Sequence, residues 1–394
     1  MTAPALIPPL DPDQLGATVA TMSALAPRYD RTGELPTEGL RAVHDAGLLT
    51  ATVAPALGGA GWTPGQVARA AYELGRADPS VTLIALQTIL MHALQTEQPT
   101  WPESLYAQVL RDSAVRPVLI NALRVEPALG APARGGLPAT YAEKVDGGWL
   151  LTGRKTFSTG GAALDYQVVW AATTETTPQL GNFIVTGGSE GVEIVETWDH
   201  LGLRASNSHD VVYTRVFVPD LHFIEREVLT KTSKQDNSVD ARWGAAIPAL
   251  YIGVARAAQD FFHRFAHERV PTALGRPIAT TERIRTVAGE IELQIAQAED
   301  VMHRFFDRVE AGDPSVLAQA ALVKTIIARS AIGAVQTAVA ALGNPALSRN
   351  NPLERHLRNV LCARVHSPQD DFTLLMTGTQ ALRAWEEAHR DDHR

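Results

Sequence analysis

The sequence predicts an α+β multidomain protein: an N-terminal helical domain, a middle antiparallel β-barrel and a C-terminal four-helix bundle. Three observations carry that expectation. Apolar residues recur at the helical period from about Asp11 to Ser113. Short β-branched and aromatic runs, separated by turn signals, fill about Val115 to Val228. Beyond Asp236 the chain becomes long alanine-rich stretches of helical pattern, punctuated by Gly or Pro. A chain of 394 residues is too long for one simple core. The boundaries are expected at 1–114, 115–235 and 236–394.

In the first region Ala17, Val19, Met22, Leu25 and Ala26 lie near the 3.6-residue period, and Leu40, Val43, Ala46, Leu48 and Leu49 repeat it. Pro36-Thr37-Glu38 reads as a helix start with Thr37 as its cap. Leu57-Gly58-Gly59-Ala60-Gly61-Trp62 invites a phosphate-loop reading, but no strand precedes it and no Lys-Ser/Thr ends it. It is a turn between helices. In the second region Thr140 to Val145, Trp149 to Thr152, Tyr166 to Trp170 and Val211 to Tyr213 read as strands, with Asp146-Gly147-Gly148 as a hairpin turn. The third region holds four helical stretches: Ala241 to Arg269, Thr280 to Ala311, Pro314 to Leu342 and Phe372 to Arg390. Leu317 to Leu342 is apolar or small around most of its circumference, so a face buried between subunits and a homotetramer are expected.

Composition excludes several classes of function. The net charge of −8 argues against a nucleic-acid binder, which needs a basic face. The single cysteine, Cys362, excludes an internal disulfide and any cysteine-based metal site. His263 and His267 share a helix face with no partner on a second element, so no metal site is expected. The charged end, His389 to Arg394, reads as a solvated tail. Met1 to Pro12 is proline-rich and lacks a signal-peptide pattern, and no uncharged apolar run reaches membrane-span length. A cytoplasmic enzyme without membrane partners is expected.

The chemistry concentrates in two segments. Arg154-Lys155-Thr156-Phe157-Ser158-Thr159-Gly160-Gly161 ends one strand, and Trp198-Asp199-His200-Leu201-Gly202-Leu203-Arg204-Ala205-Ser206-Asn207-Ser208-His209-Asp210 leads into another. Small hydroxylated residues and glycines there let backbone N–H groups and hydroxyls approach a flat, polar-edged ligand. A strand end capped by Ser and Thr is the bland alternative. The pair, together with Val216-Phe217-Val218-Pro219, resembles the middle domain of the acyl-CoA dehydrogenase superfamily, and the resemblance spans nearly the whole chain. It implies a flavin. Phe157 would flank the ring and Thr159 would contact N5, with Ser158, Arg204, Ser206 and Arg269 as further cofactor-binding positions. The FAD-holding Arg-x-x-Phe-Gly is reduced here to Arg269 without its Phe-Gly, and Ala340-Ala341-Leu342-Gly343-Asn344 lacks the glutamine of the second dinucleotide motif. That favours FMN over FAD.

Acyl-CoA dehydrogenases need a glutamate as α-proton base. By the superfamily's spacing its two known positions fall on Ser367, nine residues after Arg358, and on Trp243. Neither is a carboxylate. Arg358-Asn359 followed by His366-Ser367-Pro368 instead resembles the flavin-dependent monooxygenase branch, which includes dibenzothiophene monooxygenase and the oxygenase component of 4-hydroxyphenylacetate hydroxylase. The branch's catalytic positions fall on His366, His92, Asn121 and Ser158, groups suited to donating hydrogen bonds near a flavin. A further donor, or a loop residue, is His209. The expected function is a two-component monooxygenase that takes reduced flavin from a separate reductase and uses O2 on a small organic substrate. An acyl-CoA dehydrogenase and a non-catalytic flavin-binding protein are the alternatives.

Overall fold

The computed structural model describes residues 14–128, 137–228 and 238–389; Met1–Pro12, the junction at Asp236 and the Arg390–Arg394 tail lie outside them. Five helices come first: α1 (Gln14–Thr32), α2 (Thr37–Asp45), α3 (Pro64–Ala77), α4 (Pro79–Glu97) and α5 (Glu103–Ser113). Thr63 and Gln66 form a reciprocal capping box that starts α3. Asp78 then caps α4 by accepting from the Ser80 and Val81 amides. The α2 start differs from expectation: Pro36 occupies the cap, and the Thr37 hydroxyl donates to the Glu38 carboxylate instead. In the glycine-rich turn the Gly59 and Gly61 amides donate to the Ala54 and Val53 carbonyls. Those donors are consumed locally, so the turn forms no phosphate cradle.

Eight strands follow: β1 (Ile120–Leu123), β2 (Tyr141–Val145), β3 (Gly148–Lys155), β4 (Tyr166–Thr173), β5 (Gln179–Thr186), β6 (Val192–Val195), β7 (Asp210–Pro219) and β8 (Phe223–Val228). Val145 pairs with Gly148, so Asp146-Gly147 is the two-residue turn the sequence announces. The sheet order is β6-β7-β3-β2-β4-β5-β8, with β1 also on β4. Two details depart from a closed antiparallel barrel. The outer strands β6 and β8 do not pair, and β1 and β2 both run parallel to β4, one after the other along the same edge. The cause is the β3–β4 connection. Since β2 lies between β3 and β4, residues 156–165 must cross the end of β2 to reach its far side. That crossover is the first of the two chemically rich segments. Phe183 and Phe223, both buried, stack at 4.1 Å with Trp149 against their edges.

The last region comprises α6 (Ser238–Gly244), α7 (Ala249–Glu268), α8 (Glu282–Glu310), α9 (Ala320–Leu342), α10 (Asn344–Leu347), α11 (Leu353–Leu361) and α12 (Asp370–Ala388). The single stretch expected from Ala241 to Arg269 is broken at Pro248, which cannot donate a helical hydrogen bond. The bundle's fourth packed helix is α11, not α12. Leu353, His356, Asn359 and Val360 are buried on α11, which packs against α7 and α9, whereas α12 buries Thr373 alone. A close crossing joins α3 to α7: a Cβ on Gly75 would stand 2.3 Å from the Leu250 carbonyl oxygen, and one on Gly253 2.1 Å from that of Tyr72. Only glycine allows that approach. α9 with its preceding turn is long and apolar enough to cross a membrane, yet it packs against α8, α7 and α11 and carries Lys324 and Arg329.

Candidate active site

The two rich segments are knitted together by backbone. The Ser158 amide donates to the His209 carbonyl at 3.1 Å, Gly160 to Ser206 at 2.9 Å and Gly161 to Asn207 at 3.0 Å. Phe157, Leu203 and Asn207 all hold left-handed conformations, with φ of 55, 52 and 50°. A left-handed residue other than glycine costs on the order of 1 kcal/mol, and three in one site mark a geometry held by its surroundings. One consequence is that the Phe157 ring is thrown outward and stands 59% exposed. Trp198 meets it edge-on at 6.4 Å and in turn stacks on His200 at 3.9 Å.

Beneath this aromatic face lies a chain of hydroxyls. Thr159 Oγ1 and Ser208 Oγ are 2.9 Å apart, and Ser208 Oγ and Ser206 Oγ 2.8 Å. Asn121 Nδ2 donates to the Thr159 carbonyl at 3.0 Å, which fixes the segment from the β1 side. Ser158 Oγ is fully buried and has no partner. On α4, Thr88 Oγ1 accepts from the Ile120 amide at 2.9 Å, and His92 stands one turn further along the same face. His92 is 0% exposed, its Nδ1 lies 2.9 Å from Tyr106 Oη, and its Nε2 is buried without a partner. Burial pushes its pKa down to about 4 and raises that of Tyr106. A neutral phenol donating to Nδ1 leaves the proton on Nε2, so His92 presents an unused N–H donor. Buried polar atoms without partners are rare. Ser158 Oγ and His92 Nε2 are therefore the atoms that a ligand's polar edge would satisfy. An exposed aromatic face over hydroxyls, an amide and orphaned donors fits a flavin ring.

The other expected residues are placed differently. His366 lies in the turn before α12 and is only partly buried; its Nδ1 is 3.1 Å from the Oη of buried Tyr251 on α7. Burial, with the nearby Lys324 ammonium adding, lowers its pKa to about 4. Among the described residues no hydrogen bond or ring contact joins His366 to the hydroxyl cluster. The link between them is indirect: Asn359, on the preceding helix α11, accepts from the Leu203 amide at 2.8 Å. Arg204 serves its loop, with Nε donating to the Asp30 carbonyl at 2.8 Å and Nη1 to that of His200 at 3.3 Å. Arg269 is exposed at the end of α7 and makes no side-chain hydrogen bond or ion pair among the described residues. His209 Nδ1 accepts from the Thr197 and Trp198 amides at 3.1 and 3.0 Å, which is a loop role.

Two contributors escaped the sequence reading. Ser208 is the middle link of the hydroxyl chain, and only alternation along the loop hinted that it points the same way as Ser206. Lys155, just before Thr156, is 0% exposed and pairs with Glu126 at 2.6 Å while donating to the Trp170 carbonyl at 2.6 Å. No sequence signal links Lys155 to a partner twenty-nine residues away.

Comparison with known proteins accords with this architecture. The chain matches the acyl-CoA dehydrogenase N-terminal domain over residues 17–97, the middle domain over 125–216 and the C-terminal domain over 245–370. It is 30% identical over 379 residues to YdbM of Bacillus subtilis (strain 168), a protein placed among the acyl-CoA dehydrogenases, covering 94% of this chain and 96% of that protein. To the short-chain-specific acyl-CoA dehydrogenase of Megasphaera elsdenii it is 26% identical, covering 80% and 81%. Among solved structures, KijD3 in complex with FMN and a dTDP-amino sugar superimposes with a TM-score of 0.81 at 24% identity, covering 96% of each chain. TdsC of Paenibacillus sp. A11-2 with FMN and indole gives 0.79 at 20%, covering 94% and 96%. These structural likenesses show the fold. With three domain matches in order and a full-length relative at that identity, the chain belongs to the acyl-CoA dehydrogenase superfamily and is a flavin-dependent oxidoreductase.

Proposed function

We propose that the protein is the oxygenase of a two-component system, which takes reduced FMN from a separate reductase and uses O2 to oxidise a small organic substrate. The observation that carries this reading is the absence of a carboxylate at both positions where the superfamily keeps its base. Ser367 occupies one, and the other is Trp243, 5% exposed, whose indole donates to Glu97 at 2.8 Å. Neutral donors stand in the site instead. Phe157 would cover one face of the ring, and Ser158 and Thr159 would hold its polar edge. His92 and Asn121 would border the reacting side, where His92 Nε2–H stabilises developing negative charge. When bound, the flavin supplies the reversible two-electron carrier. His366, held by Tyr251, would donate from the C-terminal domain. FMN is supported by its presence in the KijD3 and TdsC structures. A homotetramer is supported by Leu374, Leu375, Met376, Leu382 and Trp385, all exposed on α12.

A dehydrogenase acting on an acyl thioester is the second reading, favoured by YdbM and the Megasphaera relative. Its base would have to be a carboxylate elsewhere, and Glu97 is the one beside Trp243. Anaerobic mixing of the oxidised holoprotein with a series of acyl-CoAs separates the two. The oxygenase reading expects the flavin to keep its colour until an external reductant is added. Bleaching by an acyl-CoA alone refutes it.

A further inference from the structure

The two histidines expected beside the flavin share a feature that neither the motifs nor the fold requires. Each meets a tyrosine hydroxyl at the same ring atom. His92 Nδ1 lies 2.9 Å from Tyr106 Oη, and His366 Nδ1 lies 3.1 Å from Tyr251 Oη. The first pair joins α4 to α5, and the second joins α7 to the turn before α12. Both tyrosines sit on fixed backbone. Trp101 meets the Tyr106 ring edge-on at 6.3 Å, and the Trp101 amide donates to Gln95 Oε1 at 3.1 Å, one turn beyond His92 on α4. Tyr251 is 1% exposed and stands beside Leu250 and Gly253, where the backbone of α7 touches that of α3.

The direction of the two bonds follows from burial. It raises the pKa of both phenols, so each keeps its proton at neutral pH. It also lowers both imidazoles to about 4, so each is neutral, with one N–H and one lone pair. Among the described residues neither hydroxyl has an acceptor on any other residue. Each therefore spends its proton on Nδ1, and the imidazole proton stands on Nε2. His92 Nε2 is buried without a partner. His366 Nε2 lies 3.5 Å from the same Tyr251 oxygen, too far for a good hydrogen bond, and so stays available.

We propose that Tyr106 and Tyr251 are positioning residues, each holding its histidine in the tautomer with the proton on Nε2, so that both imidazoles present N–H donors to the flavin site. Their part in the reaction rests on the oxygenase reading; the tautomers do not. The wrong tautomer would put a lone pair where the donor belongs, and a lone pair repels the negative charge that develops as O2 is reduced. A hydroxyl that merely filled a buried acceptor would contribute to stability and leave the reaction with O2 untouched.

Solid-state nitrogen NMR of histidine-labelled full-length protein, with and without FMN, reads which ring nitrogen carries the proton. His92→Gln and His366→Gln assign the two signals. In the parent both rings should show a protonated Nε2 and a bare Nδ1. Tyr106→Phe and Tyr251→Phe keep the ring and remove only the hydroxyl. Each should turn its own histidine into a mixture of tautomers and leave the other unchanged. The second arm mixes protein carrying reduced FMN with O2 in a stopped-flow instrument and follows reoxidation, in which the flavin gives two electrons and two protons to O2 and hydrogen peroxide leaves. Each variant should slow that step about five- to tenfold, the scale of one hydrogen bond, with flavin affinity unchanged. A proton on Nδ1 of either ring in the parent overturns the inference, as does a tautomer that survives loss of its hydroxyl. An unaltered reoxidation rate in either variant removes that tyrosine from the role. Bleaching by an acyl-CoA alone strikes the oxygenase reading instead, and the NMR arm still decides the tautomers.

Discussion

Replacing Lys155 by Met should loosen the site from below. The ammonium is 0% exposed and its carboxylate partner 2%, with 2.6 Å between Nζ and Glu126 Oε1. Burial works to raise the Glu126 carboxyl, yet Lys155 and the bonds from Thr140 and Ala139 hold it below its ordinary value. The same burial pushes the Lys155 ammonium down to about 8, still charged at neutral pH. Methionine fills most of the volume but leaves Glu126 a buried anion. That anion keeps the Ala139 and Thr140 amides at 2.6 and 3.1 Å and the Thr140 hydroxyl at 2.6 Å, and loses the cation that pairs with it among the described residues. Removing one partner of a buried pair costs about 3–5 kcal/mol. The retained hydrogen bonds put the expectation near the lower end, about 3 kcal/mol, or roughly a hundredfold in the local unfolding equilibrium. Lys155 also fixes where the Thr156–Thr159 segment leaves the sheet, so flavin affinity should fall with stability. Urea unfolding read through tryptophan fluorescence measures the first effect, and flavin titration the second. Lys155→Met/Glu126→Gln, which removes both charges, should recover part of the loss. An unchanged urea midpoint in Lys155→Met, or a double variant worse than the single, refutes the reasoning.

Three further outcomes are expected. His92→Ala and His366→Ala should each retain flavin, held mainly by the barrel segments, while substrate turnover falls about 10²-fold or more; unchanged turnover in either removes that residue from the chemistry. His92 has a folded pKa near 4 against an ordinary 6.5, so the unfolded chain binds the extra proton between those values. Stability from this residue is full above pH 6.5 and declines by about 3 kcal/mol as pH falls to 4. His92→Gln should flatten the urea midpoint over that window, and an identical pH slope in variant and parent contradicts the account. Light scattering at micromolar concentration should give the mass of a tetramer, and Leu375→Glu/Trp385→Glu on α12 a smaller species; a monomer in the parent protein defeats the assembly proposed.

How much of this was legible beforehand depends on the range of the interaction involved. Periodicity located the helices around α1, α2 and α8 because each buries one continuous face, which repeats along the sequence. The Asp146-Gly147 turn was legible because its conformation is dictated by two residues alone. The expected antiparallel closure failed where a strand's partner is chosen by a distant crossover. Nothing local in Ile120 to Leu123 says that it will pair parallel with Tyr166 to Val169. The same limit governs the packing of the last helices. Apolar residues alone drew attention to α12, but α11 has the sharper division between a buried face and a polar one, and the bundle selects for that division rather than for apolar content.

The site divides along the same line. Phe157, Ser158, Thr159 and Ser206 are neighbours in short motifs, and the fold brings those motifs into register through three backbone hydrogen bonds. The Glu126–Lys155 pair and the placement of His366 against Tyr251 instead require segments distant along the chain to be assembled first. His356 is the limiting case. In sequence, Glu354-Arg355-His356-Leu357-Arg358 is an ordinary polar helix stretch with an i,i+4 pair between Glu354 and Arg358, 2.7 Å apart. Only in the folded chain does Asp30 join that pair, and only there is His356 Nδ1 buried without a partner. A group's unmet hydrogen bonds are a property of its surroundings, and so the positions most informative about a ligand are those that composition and motif conceal.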